Sequence, residues 1–173
     1  MDVMVTGHRP NKLPDSKSGY DPNNPTRVWV RQQMRGIMFD VMQDGPESAF
    51  ITGMALGIDQ DFASVAFGIG AKLHAYIPGI WQCSKWPETA KRSYFQMLNK
   101  IKDQGGKIVM CSEEDYHPGL LLQRNQMMVD ACDKAIAVWN GGTGGTTDTV
   151  IRLRKADKLG WLIIPTTREV LVF

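Results

Sequence analysis

Cysteine is scarce in this chain. Cys83, Cys111 and Cys132 are odd in number, widely spaced and never in a CxxC pair. A disulfide framework is thereby excluded, and free thiols point to a reducing compartment, the cytoplasm. His8, His74 and His117 form no HxxxH and no Cys/His cluster, so no metal site is expected, and no cofactor is called for. No apolar run approaches the ~18 residues of a membrane span. Asp2 also interrupts the start, where a signal peptide would need basic residues followed by an apolar stretch. Charge of either sign is nearly balanced, since 20 Lys+Arg against 18 Asp+Glu leave +2. That falls far short of the basic excess of a nucleic-acid binder, and neither nucleic acid nor membrane is an expected partner. What remains is 173 residues, 43% hydrophobic and 22% charged, a globular composition sufficient for one domain over residues 1–173 with its own core.

Short apolar runs alternate with helical periods, which predicts an α/β domain with a mostly parallel sheet. About six strands are expected, at Asp2–Thr6, Ala49–Thr52, Lys72–Ile77, Lys107–Cys111, Ala135–Trp139 and Trp161–Ile164. A polar stretch after the first strand runs to about Thr26, too long for an ordinary connection, and reads as a functional or mobile loop. Val30, Met34, Ile37, Met38, Val41 and Met42 then fall on one helix face, stopped by Asp44-Gly45-Pro46. The right-handed crossover rule favours an open Rossmann-like sheet, doubly wound with helices on both faces.

Ligands in such a sheet bind at the carboxyl ends of strands, and three unusual loops leave strands there. Gly7-His8-Arg9-Pro10 follows the first, and Gly53 to Gly57 follows the second, with Asp59 and Asp61 in the next helical turn. Gly141, Gly142, Thr143, Gly144, Gly145, Thr146 and Thr147 follow the fifth. This last loop suits an anion. Glycines let backbone N–H groups approach it, the following helix adds its positive end, and threonine hydroxyls can donate. It lacks the Gly-Lys-Ser/Thr of a Walker A loop. Arg9 presents a planar fork to oxyanions. His8 serves either as an acid or base or as a structural hydrogen-bonding group. Asp59 is placed to accept ribose hydroxyls, whereas Asp61 is expected to be solvated. Arg124 and Asn125 are read as opening the helix before the fifth strand, beside the glycine loop. Trp81 and Trp86 in one loop can stack on a base, with core burial as the alternative. Arg27, Arg31 and Arg35 form a stripe read as a solvated face.

Val5 to Pro10, Thr52-Gly53-Met54-Ala55-Leu56-Gly57-Ile58-Asp59, Arg124 to Asp130, and Trp139-Asn140-Gly141…Gly144-Gly145-Thr146 together resemble the SLOG superfamily over nearly the whole chain. The resemblance points to the YpsA/YoqJ-like branch of Firmicutes and their phages. The superfamily also includes DprA and the LOG phosphoribohydrolases. The resemblance implies a pocket for a nucleotide or ADP-ribose-like ligand, bound by the three loops and by Arg124 and Asn125. It also implies a dimer or larger assembly, toward which the Met-rich helices point too, in the host cytoplasm if phage-encoded. The expected function is therefore binding, by sensing or sequestering, of a phosphate-bearing ligand such as ADP-ribose, an NAD-derived nucleotide or a cyclic nucleotide. One alternative is LOG-like cleavage of a nucleoside 5′-monophosphate at its glycosidic bond, with Asp148 as the acid and Arg124 orienting phosphate. The hydrolase loop Pro-Gly-Gly-x-Gly-Thr-x-x-Glu is not kept in full, since Asn140 replaces the proline. The other alternative is DprA-like binding of single-stranded DNA.

Overall fold

A computed structural model of the chain describes residues 1–14 and 21–173. Part of the polar loop expected before Thr26, residues 15–20, lies outside the described residues. The elements run β1 (Asp2–Gly7), a 3-10 turn at Pro10–Lys12, α1 (Pro25–Asp44), β2 (Ala49–Thr52), α2 (Ile58–Ile69), β3 (Lys72–Ile77), α3 (Glu88–Asp103) and β4 (Ile108–Met110). They continue with α4 (Pro118–Ala131), β5 (Lys134–Val138), α5 (Gly145–Lys155), β6 (Leu159–Ile164) and β7 (Glu169–Val172). The strand order is β4-β3-β2-β1-β5-β6-β7. All neighbours pair in parallel except β6 and β7. This is the expected α/β Rossmann-like sheet with one strand more. β7 pairs antiparallel with β6, from Trp161↔Val172 to Ile164↔Glu169, and its side chains are mostly exposed at the sheet edge. An edge strand without a buried face shows no alternation to read.

Alternation along the inner strands divides the core between two layers. Val3 and Val5 of β1, Phe50 of β2 and Ile136 and Val138 of β5 pack with Val30, Met34 and Met38 of α1, Phe62 of α2 and Tyr94 and Ile101 of α3. The intervening Met4, Ile51, Ala135 and Ala137 pack with Met128 and Val129 of α4 and Val150 and Leu153 of α5. A one-residue period of opposite facing therefore sorts the helices to the two sides. Phe50 and Phe62 meet edge to face with centroids 5.9 Å apart.

α1 starts where Asn24 caps it, its side chain accepting from the N–H groups of Thr26 and Arg27, with Pro25 in the first position. The stripe expected to be solvated is instead half buried. Arg27 donates from Nε (2.9 Å) and Nη2 (2.8 Å) to the Asp61 carboxylate, and Arg31 adds Nη1 at 3.2 Å. Asp61 is 4% exposed, so the expectation of a solvated Asp61 is also corrected. α1 and α2 pack together, and the carboxylate needed cations once it was enclosed between them. Among the described residues, no helix is long and apolar enough to cross a membrane.

Candidate functional site

The chain order reverses between β1 and β5, so their carboxyl ends form the crevice of the sheet. His8 ties the two loops that leave it. Its Nε2 accepts the Asn140 N–H at 3.0 Å, and its carbonyl accepts from Ile58 N–H. His8 is buried, and burial, then the nearby Lys12 charge, lowers its pKa, which keeps the imidazole neutral as an acceptor. Of its two expected roles the structural one matches this placement.

Two cavities open beside it. The first, about 390 Å³, is lined by Gly7, Arg9, Lys12, Ala55, Asp59, Leu121, Arg124, Asn125, Gly145 and Thr146, with Met4 and Met128 among its apolar lining. The second, about 580 Å³, is lined by Arg9, Pro10, Ala55, Leu56, Trp81, Gln82, Lys85, Trp86, Tyr116 and Arg124. Arg9, Ala55, Leu121 and Arg124 line both, so the two are lobes of one cleft. Each volume falls within the range of small-molecule sites.

The first lobe suits an anion. The N-cap of α5 is Gly144, with no side-chain cap, so the amides of the first turn keep their donors. Gly144 has φ +127° and ψ −171°, a conformation essentially reserved for glycine. Arg9 is exposed and its guanidinium makes no hydrogen bond to a described residue, while Lys12 donates to the Thr143 carbonyl at 2.9 Å. Two of the three threonine hydroxyls expected to reach phosphate are already engaged. Thr146 donates to the Gly7 carbonyl (3.1 Å) and Thr147 to that of Gly142 (2.8 Å), while Thr147 also accepts from the Trp139 indole. Main-chain N–H groups are what the loop offers. Gly53, Gly57, Gly141, Gly142, Thr143, Gly144 and Thr147 stand behind the lining or outside it.

The second lobe is aromatic. Trp81 meets Tyr116 edge to face at 4.9 Å and donates its indole N–H to the Glu114 carbonyl. Trp86 meets Tyr94 at 5.3 Å. Gln82 bridges this lobe to β2, donating to the Gly53 carbonyl at 2.8 Å and accepting from the Tyr94 hydroxyl at 2.9 Å.

Arg124 lies between the lobes, but not as the sequence reading placed it. It sits in the second turn of α4, not at its opening, and is 7% exposed. Nη1 donates to the Gly53 carbonyl and, at 3.4 Å, to that of Tyr76, while Nε donates to the Asn125 side chain at 2.9 Å. A Cβ on residue 53 would fall inside the guanidinium, so glycine at the position after β2 leaves the room Arg124 occupies. Arg124 therefore ties α4 to the ends of β2 and β3. Beside it Asp59 is buried, its carboxyl meeting the main-chain N–H groups of Ala55 (3.2 Å) and Gly53. Burial raises the Asp59 pKa, against the opposing pull of the Arg124 charge.

Asp148 does not join the cleft. Its carboxylate binds Arg152 at 2.7 Å, one turn along α5, in a separate groove with Gln126 and Asp130. An acid in the first turn of α5 points wherever the helix phase sends it, and here that is away from Arg9 and Arg124. Its assignment as a catalytic acid is corrected on this ground. Lys12 and Gln82 went unnoticed in the sequence. Lys12 had one signal, its place in the turn directly after Arg9-Pro10. No group of three or more His, Cys, Asp or Glu among the described residues could hold a metal ion.

No protein-family model matches the chain. It is similar to solved structures of DNA processing protein A. One is the Helicobacter pylori protein, described for its single-stranded DNA binding mode (TM-score 0.64, 19% identity, 94% of this chain and 64% of that one). Another is the Streptococcus pneumoniae protein (TM-score 0.63, 17% identity, 94% and 50%). The chain thus spans under two thirds of either. The likeness shows that the chain shares the fold of these proteins. The chain is also 26% identical over 145 residues to an uncharacterized SPbeta prophage-derived protein, YoqJ, of Bacillus subtilis. That match covers 76% of this chain and 84% of YoqJ. The expectation against nucleic acid as a partner is overturned here, because a single-stranded DNA binder stands among the structural neighbours. Net charge averages over the whole surface and says little about one cleft.

Proposed function

We propose that the cleft binds a phosphate-bearing nucleotide-type ligand, such as ADP-ribose, an NAD-derived nucleotide or a cyclic nucleotide, and senses or sequesters it. The observation that carries this reading is the meeting of two unlike lobes at Arg9. A phosphate on the first amides of α5 would have Arg9 and Lys12 beside it, favoured by the helix dipole and by charge-assisted hydrogen bonds. A base in the other lobe would lie among Trp81, Trp86 and Tyr116, where an aromatic surface gives area at low entropic cost.

The test is mass spectrometry of small molecules released on denaturing protein purified from its native host, followed by calorimetry with ADP-ribose and cyclic nucleotides. An intact nucleotide supports binding. Release of base and ribose phosphate would instead support the glycosidase alternative, for which the pairing of Asp148 with Arg152 offers no acid. Failure to find any nucleotide, with no heat on titration, would remove the reading.

A second reading is favoured by the likeness to Helicobacter pylori DprA. A short single-stranded DNA would stack bases on Trp81 and Tyr116 and set its backbone against Arg9, Lys12 and Lys85. Anisotropy of a labelled oligothymidylate, with and without Trp81→Ala, tests it. Salt-sensitive binding that the substitution weakens supports it, and no binding at low salt rejects it.

A further inference from the structure

We propose that Asp59 determines specificity in this cleft: its carboxyl accepts the sugar 2′-hydroxyl and so selects ribonucleotides over 2′-deoxyribonucleotides. The inference rests on the nucleotide reading above. A nucleotide joins base to phosphate through its sugar, so the residues between an aromatic lobe and an anion-binding lobe meet the sugar. Those residues are Arg9, Ala55, Leu121 and Arg124, which line both lobes, and Asp59, four residues after Ala55, which lines the phosphate side.

The chemistry of that position is unusual for a phosphate site. A carboxyl there repels phosphate, so it faces a donor or nothing. Among the described residues Asp59 has no ion pair within contact distance, while Arg124 turns its Nη1 to the carbonyls of Gly53 and Tyr76 and its Nε to Asn125. Its partners are main-chain N–H groups, those of Ala55 and Gly53. A carboxylate offers about four acceptor positions, so capacity remains on the cavity side. Those N–H groups also fix its orientation, and the Thr52 hydroxyl holds the Asp59 carbonyl at 2.9 Å, so the acceptor is rigid before any ligand arrives. Sugar hydroxyls are the donors a nucleotide carries midway along its length. Among them the 2′-hydroxyl alone distinguishes ribose from deoxyribose. A site built to bond a hydroxyl rejects the analogue lacking it, because the buried acceptor is left unmet.

The experiment is calorimetry of the four ribonucleoside 5′-diphosphates and their 2′-deoxy counterparts against the whole chain and against Asp59→Asn. For the best-bound base, the expected preference of the parent for ribose is about tenfold or more, the scale of one hydrogen bond to a charged group. Asp59→Asn should bring that ratio toward one. The parent ratio needs no variant, so it decides the question even if Asp59→Asn fails to fold. Equal affinities for the two sugars in the parent would overturn the proposal while leaving the nucleotide reading intact. A ribose preference unchanged in Asp59→Asn would overturn the assignment to Asp59. If none of the eight binds, this proposal fails, while the nucleotide reading is decided separately by the released-ligand and ADP-ribose measurements above.

Discussion

Arg124→Met and Arg9→Gln should separate scaffold from ligand contact, although both arginines line both lobes. The magnitude for Arg124 follows from its partners. Its Nη1 bond to the Gly53 carbonyl is charge-assisted and buried, and losing such a bond costs about 1.5–3 kcal/mol. The Gly53 carbonyl keeps Gln82 as a donor at 2.8 Å, so no carbonyl is stranded there. The bond to Tyr76 is long at 3.4 Å and adds little. Methionine refills most of the volume and removes the cost of burying a guanidinium, which offsets part of the loss. Asp59 then loses the charge that opposes its desolvation, which works the other way. The net is a destabilisation of about 2 kcal/mol. At a urea dependence of about 1–3 kcal/mol per molar, the unfolding midpoint drops by about 1 M. Arg9 is exposed and bonds no described side chain or carbonyl through its guanidinium, so Arg9→Gln should hold stability within about 0.5 kcal/mol. Its affinity for ADP-ribose should nonetheless fall about tenfold, as for a charge-assisted hydrogen bond. Urea unfolding followed by circular dichroism, and calorimetry, read the two effects. An Arg124→Met midpoint within about 0.2 M of the parent would refute the argument that this side chain ties α4 to the sheet.

Asp148→Asn should change stability by about 0.5 kcal/mol, as for an exposed i,i+4 pair, and leave affinity for ADP-ribose unchanged. A clear loss of affinity would return Asp148 to the site. Gly144→Ala places a side chain at φ +127° and should cost about 1–3 kcal/mol while misaligning the first amides of α5. A parental melting temperature with parental affinity would contradict that. Asp59→Asn should unfold at higher urea than the parent at pH 7. Burial raises the folded carboxyl above its unfolded value, so its ionisation opposes folding once pH exceeds that unfolded value. The advantage should narrow as pH falls toward about 4, where the unfolded carboxyl protonates. An advantage that widens on acidification would reverse the sign of the reasoning.

Local periodicity carried most of the fold, because strands buried on both faces and helices with one apolar stripe announce themselves in short windows. It could not assign partners across the sheet. Arg124 illustrates what was there to be read. Leu120, Arg124 and Met128 recur every four residues on the buried face of α4, so an arginine stood in an apolar stripe. That spacing implied burial, and burial implied that its donors would be consumed by carbonyls. Arg27 likewise shares a buried stripe with Val30 and Met34, and its partner lies 34 positions away in Asp61. No window of that chain segment holds both. The convergence of Arg9, Asp59, Arg124 and Gly145 was legible because each follows or faces the carboxyl end of a strand. The outward turn of Asp148 was not, since it depends on how α5 is rotated about its axis.

β1 sends Val3 and Val5 to one side and Met4 to the other, so the sheet acts as a partition between two apolar compartments. The walls of the cleft come one from each: Ala55 and Asp59 precede or begin α2, while Leu121, Asn125 and Thr146 belong to α4 and α5. A molecule seated there works as a rivet through the open end of the partition. Its binding free energy, about 2.7 kcal/mol at a hundredfold excess over Kd, is withheld from any opening of either compartment. Amide exchange at Ala55 and at Thr146 would then slow together on loading, although no strand or helix connects them directly.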